Sequence, residues 1–177
     1  MVRALVRCLV FFVFLSSPLA YACGDNANSL VQGPFKDSNF NNGTICFQKT
    51  SDERDIEFHL EYDSPSGVKN ILVDTFYYSD APVELMSVFF VSVNKERNVA
   101  VLLRWNVEYI SNGVKYPYFY EIKTYNKVNN DGYQLNLNSD DDSALSGYQI
   151  IKDGVKYDFP LDNANKIKRY IMDKYTS

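Results

Sequence analysis

Asn112-Gly113 lies between two runs of alternating apolar and polar residues, and it constrains the fold more than any other feature. A two-residue type I′ turn needs positive φ at both central positions, which Asn and Gly tolerate. The chain is therefore predicted to double back there as a β-hairpin. Counting outward gives the register: Tyr109 faces Tyr116, Val107 faces Tyr118, Trp105 faces Tyr120 and Leu103 faces Ile122. Side chains alternate between faces along a strand, so these residues are predicted to share one face, most of them as core. On the other face Arg104 falls opposite Glu121, which predicts a cross-strand ion pair.

The preceding strand, 83–93, is predicted to return through Asn94-Lys95-Glu96-Arg97, setting Val93 against Asn98. Met86, Val88 and Phe90 then join Trp105, Leu103 and Val101. Val83, Leu85, Phe89 and Val91 take the opposite face beside Leu102. Apolar residues on both faces predict a central strand covered on both sides. The cover for the second face is sought at the C-terminus. There Ala164, Ile167, Tyr170 and Ile171 recur at helical spacing. Asp162 is the predicted N-cap, Leu161 the staple, and Lys168, Arg169 and Lys174 suit the negative end of the helix dipole. Further strands are predicted at 45–49, 56–62, 68–78, 118–127, 132–138, 148–152 and 155–159. The segment from Cys23 to Gly43 reads as polar and turn-rich. The expected fold class is α+β: a mainly antiparallel, curved β-sheet with a C-terminal α-helix, 162–175, packed on it.

Residues 1–22 read as a secretory signal peptide. Arg3 and Arg7 precede the apolar run from Cys8 to Leu15, and Ala20-Tyr21-Ala22 gives a small-x-small cleavage pattern. The run is too short for a stable membrane anchor. One β-rich domain is expected over 23–177. Cleavage removes two of the 18 basic residues and none of the 22 acids, so the net charge falls from −4 to −6. An acidic chain without a basic stripe excludes nucleic acid as a partner. Of three cysteines, Cys23 and Cys46 remain after cleavage, an even count in an exported chain. One disulfide is expected between them, closing a loop worth roughly 3 kcal/mol. The rival reading makes Cys23 a lipidated first residue, but Ala20 and Tyr21 fit that pattern poorly. Asn42-Gly43-Thr44 matches a glycosylation sequon and is read here as an Asn-Gly turn.

A search for chemistry yields little. His59 is the one histidine. No Gly-x-Ser-x-Gly elbow accompanies it, and a strand histidine held structurally is the preferred reading. Two cysteines and one histidine do not complete a structural zinc set. Ser92-Val93-Asn94-Lys95 fits Ser-x-x-Lys but sits at a strand end. Asn138, Asp140 and Asp142 have the spacing of an EF-hand start, yet Ser143 stands where Gly is required and Gln149 where the bidentate Glu is required. No pair among Glu57, Glu61, Glu84, Glu108 and Glu121 is selected for glycosidase work. No catalytic residue, metal or cofactor is assigned. Asn138, Asp140, Asp141, Asp142 and Ser143 are taken as a partner-binding loop, because adjacent carboxylates attract a basic surface.

The segment from Val83 to Ile171 has a recognisable order. Pro82-Val83-Glu84-Leu85 runs into Val88-Phe89-Phe90, then Val101-Leu102-Leu103-Arg104-Trp105, then Tyr118-Phe119-Tyr120-Glu121-Ile122-Lys123-Thr124-Tyr125. Gly147-Tyr148 and Tyr157-Asp158-Phe159-Pro160 lead into the terminal helix. This resembles small exported bacterial proteins encoded beside type VI secretion effectors, taken to be periplasmic immunity proteins. The resemblance implies a non-enzymatic periplasmic protein that binds and blocks an effector toxin with a basic cleft. Muramidase, amidase and phospholipase toxins are all open, and no catalytic residue is carried over. A homodimer is also allowed. The alternatives are a carrier domain holding a small apolar ligand between sheet and helix, and a surface structural subunit.

Overall fold

A computed structural model describes Cys23 and residues 29–129 and 131–175. The predicted signal peptide lies outside these residues. The described chain is mostly β, with ten antiparallel strands. β1 (Leu30–Asp37), β2 (Gly43–Lys49), β3 (Ile56–Ser64) and β4 (Gly67–Phe76) form one sheet in that order. β5 (Val83–Val93), β6 (Glu96–Ser111), β7 (Val114–Val128), β9 (Ser146–Lys152) and β10 (Val155–Tyr157) form the second, ordered β10-β9-β7-β6-β5. β8 (Gly132–Leu135) pairs with the far end of β7. α1 (Leu137–Asp140) and a 3-10 turn (Ser143–Leu145) follow β8, and α2 (Ala164–Tyr175) closes the described chain. The single curved sheet of the sequence reading is thus two sheets. β1 was missed because Gly33-Pro34 reads as a turn in the sequence and two register shifts interrupt its alternation.

Two cores lie on opposite faces of the second sheet. Between the sheets, Ile45, Phe47, Phe58 and Leu60 meet Val99, Val101, Leu103 and Trp105. Polar groups tie this layer too. The Tyr125 hydroxyl donates to Asp74 across the sheets at 2.6 Å. Burial first, then the Asp74 carboxylate, push the Tyr125 pKa up, so the hydroxyl stays a donor. Tyr133 likewise donates to the buried Asp37. On the other face α2 lays Ile167 and Ile171, both fully buried, against Phe89, Val91, Ala100, Leu102 and Ile122. Each isoleucine contributes on the order of 2–3 kcal/mol. The terminal helix is the second cover, as its spacing predicts. It begins two residues later than expected because Asn163 is the cap: its Oδ1 accepts from the amides of Asn165 and Lys166, both at 3.1 Å. Asp162 instead pairs with Lys166 at 2.8 Å. Tyr120, Leu145, Phe159 and Leu161 complete this layer between sheet and helix.

The register differs from the count in instructive ways. Tyr109 does face Tyr116, but β6 then carries one extra residue between Asn106 and Tyr109, where Glu108 has φ +44°. Beyond this bulge Trp105 faces Phe119, Arg104 faces Tyr120 and Leu102 faces Ile122. A one-residue slip moves every side chain to the other face. Tyr120 therefore stacks on Phe159 beneath α2, and Phe119 joins Trp105. Arg104 does not meet Glu121. It pairs with Glu84 on β5, with Nε donating at 2.9 Å, while Glu121 pairs with Lys123 at 3.6 Å. A second bulge at Met86 turns Val83 and Leu85 toward the inter-sheet core and leaves Met86 exposed. The turn after β5 is tighter than predicted. Asn94 and Lys95 both take positive φ, so Val93 faces Glu96, and Val91 faces Asn98.

Candidate functional site

β6 and β7 are 16 and 15 residues long, and only part of their length is covered. Val99 to Leu103 are all at most 1% exposed. Past Trp105 cover thins: Val107 and Phe119 are only partly buried against the inter-sheet core, and Tyr109 and Ile110 are exposed. Trp105 contacts Phe119 at 5.9 Å between ring centroids, and Phe119 contacts Tyr148 at 4.9 Å. Tyr148 meets Tyr116 edge-on at 5.3 Å, and Tyr116 stacks on Tyr109 at 4.8 Å. By register, Ile150 and Tyr157 extend the same face across β9 and β10. Tyr109, Tyr148 and Tyr157 are 48%, 47% and 53% exposed.

This row rises from a buried Trp105 to exposed tyrosines at the hairpin tip. Its rings pack on one another, so they present edges and hydroxyls more than open flat faces. That suits a protein surface, where tyrosine brings large rigid area and a polar tip, better than it suits stacking on sugar rings. The local charge is balanced. Glu108, Glu121, Asp153 and Asp158 are matched by Lys115, Lys123, Lys152 and Lys156 across 106–123 and 146–158. The acidity of the chain lies elsewhere.

The predicted acidic loop is only partly free. Asn138 lies in α1, and Asp140 and Asp141 are exposed. Asp142 turns inward and holds the end of α2. It accepts from the hydroxyls of Tyr170 and Tyr175, each at 2.8 Å, and meets Lys174 Nζ at 2.8 Å. It also caps the 3-10 turn that starts at Ser143, accepting from the Ala144 amide at 3.1 Å. Burial alone would push this carboxyl up, but Lys174, then Tyr170, Tyr175 and the Ala144 amide, hold it down to about 2. The Lys174 ammonium is held well above its usual range by the same contact. Burial and then Asp142 push the Tyr175 hydroxyl up to about 12. Asp142 is thus a structural clasp, while Asp140, Asp141 and Ser143 remain at the surface.

His59 sits on the outer face of the first sheet. Its Nε2 meets Glu57 Oε2 at 2.9 Å, and its Nδ1 meets Asn70 Oδ1 at 3.4 Å. The ring is oriented by both neighbours. Among the described residues no group of three His, Cys, Asp or Glu gathers as a metal site. An open cleft of about 680 Å³ has Phe40 and Tyr62 in its lining, with Lys69 and Lys127 beside them. Lys127 is engaged, donating to the Asn39 carbonyl at 2.6 Å. The structure joins Cys23 to Cys46, with Cα atoms 5.9 Å apart, and both are buried. No described helix is long and apolar enough to cross a membrane.

Comparison with protein-family models, with curated proteins and with solved structures finds no match.

Sequence reasoning missed Tyr109, Tyr148 and Tyr157 as surface residues. For Tyr157 the signal was present: Val155 and Tyr157 alternate on a three-residue strand at the sheet edge, where cover is scarce. For Tyr109 and Tyr116 it was hidden, because a uniform register assigns them to the Trp105 core.

Proposed function

We propose that this chain is an exported, non-enzymatic binding protein that acts in the periplasm as an immunity protein, gripping and blocking a secreted antibacterial toxin. The observation that carries this reading is the row Trp105–Phe119–Tyr148–Tyr116–Tyr109, which leaves the inter-sheet core at the buried Trp105 and ends in half-exposed tyrosines. Half-exposed tyrosines offer on the order of 100 Å² each. With the flanking Val155, Ile150 and Val107 they match the apolar centre of an interface burying about 800 Å² per partner. The partner is an effector with a basic cleft. The net charge of −6, carried outside the aromatic row, steers it from a distance, and the uncharged row makes the lasting contacts. The two parts separate kinetically: added salt slows association and leaves dissociation nearly unchanged.

The test is co-expression of the toxin encoded beside this gene, directed to the periplasm, with and without this protein. Rescue of growth is expected. Tyr109→Ala with Tyr148→Ala should abolish rescue while the protein is still secreted and folded. Lysis despite a folded, secreted wild-type protein overturns the immunity reading. Rescue undiminished by the tyrosine changes moves the grip to another surface.

A further inference from the structure

Among the described residues β1, β4, β5, β8 and β10 each leave an edge open; β8 is only four residues long, and three of the others are blunted. β1 carries the Gly33–Pro34 bend and two register shifts. β5 is bulged at Met86, and the Gln32 side-chain amide donates to its Leu85 carbonyl at 2.8 Å. β10 is only three residues long. Such devices keep open strands from pairing with other chains.

β4 has none of them over its first seven residues. It runs ten residues, Gly67–Phe76, pairs only with β3 among the described residues, and contains no proline. Its one irregularity lies near Val73 and Asp74, opposite the Phe58–His59 step. Lys69 is the single charge from Gly67 to Val73. On its outer face Val68 is 68% exposed and Leu72 is 51% exposed, flanking Asn70.

That spacing is self-complementary. We infer that β4 is a dimerisation edge: two copies of this chain pair β4 with β4 in antiparallel register about a two-fold axis at Asn70. Val68 of one copy then faces Leu72 of the other on the same outer face, twice over. Lys69 faces Ile71, so no like charges meet across the new ladder. The two four-stranded sheets become one continuous sheet of eight. The acids of β3, Glu57, Glu61 and Asp63, lie three strand spacings from their counterparts, about 14 Å. That exceeds the Debye length of about 8 Å at physiological salt. Two chains of charge −6 still repel at low salt, so the dimer tightens as ionic strength rises.

The experiment is sedimentation equilibrium of the mature chain over a range of concentrations, at low and physiological salt. The expected result is a monomer–dimer equilibrium that shifts toward dimer with salt. Val68→Lys with Leu72→Lys, both on exposed positions, should weaken it by at least about tenfold without lowering Tm at concentrations where the wild type is monomeric. Backbone amides near Asn70 should gain hydrogen-exchange protection with concentration in the wild type only. A wild-type chain that stays monomeric at every concentration overturns the inference. So does a dimer unaffected by the lysine pair. A dimer lost on Tyr109→Ala with Tyr148→Ala places self-association on the aromatic row and also overturns it, whereas toxin rescue tests that row separately.

Discussion

The two halves of β6 and β7 belong to the same strands and have opposite surroundings. The half from Val99 to Leu103 is sealed by a sheet on one face and α2 on the other, and it reads as an unbroken apolar run. The half beyond Trp105 is only thinly covered and reads as tyrosines interleaved with polar residues. The bulge at Glu108 lies within this outer half, three residues past Trp105. A strand buried on both sides cannot vary its chemistry, whereas one that outruns its cover can display side chains on a rigid base. The covered half holds the fold and the uncovered half is free for contact.

Five variants test this division, ranked by their effect on stability. Ile167→Asp places a carboxylate in the fully buried layer under α2 and should cost at least about 4 kcal/mol, read as loss of the cooperative thermal transition. If Tyr148→Ala proves equally damaging, the outer half is not a free surface. Replacing Cys23 and Cys46 together by alanine should cost about 3 kcal/mol, seen as a lower denaturant midpoint with the helix intact by circular dichroism.

Asp142→Asn comes third, at about 1–2 kcal/mol, since Lys174 is itself half-exposed and screened. The Asp142 pKa is depressed in the folded state, to about 2 from 3.8. Its contribution is therefore full above the unfolded value and is lost as pH falls through the folded one. Wild-type stability should decline between pH of about 4 and 2, and the variant should lack that part of the slope. Equal slopes would remove the clasp from the account. Fourth, Tyr109→Ala with Tyr148→Ala should shift stability by less than about 1 kcal/mol yet weaken toxin binding by about 2 kcal/mol or more. Asp140→Ala with Asp141→Ala should change stability by less than about 0.5 kcal/mol and lower only the salt-dependent association rate.

Much of the fold was legible where pattern is repetitive. The apolar faces of 83–93, the Asn112-Gly113 turn and the stripe of Ile167 and Ile171 all report directly what covers them. Illegible were features that depend on one residue's backbone. Nothing in Asn106-Val107-Glu108 announces that Glu108 takes positive φ, yet that residue decides which face Phe119 and Tyr120 occupy. β1 was invisible to hydropathy because Gly33-Pro34 and its register shifts interrupt its alternation. The acidic run was legible as acidic, but its spacing does not disclose that Asp142 faces two tyrosines from a helix 28 and 33 residues away.

Sheet order also bears on how the chain finds this structure. In the first sheet every strand pairs with its neighbour in sequence, and β5, β6 and β7 repeat the pattern. Each of these pairings closes only a short loop, so the first sheet and the β5–β7 part of the second can start as hairpins on the microsecond scale, whereas β9 reaches β7 only across β8 and α1. Contacts such as Tyr125 with Asp74 require the finished sheets to meet. Substitutions there should chiefly accelerate unfolding, whereas those beside the hairpin turns should slow folding.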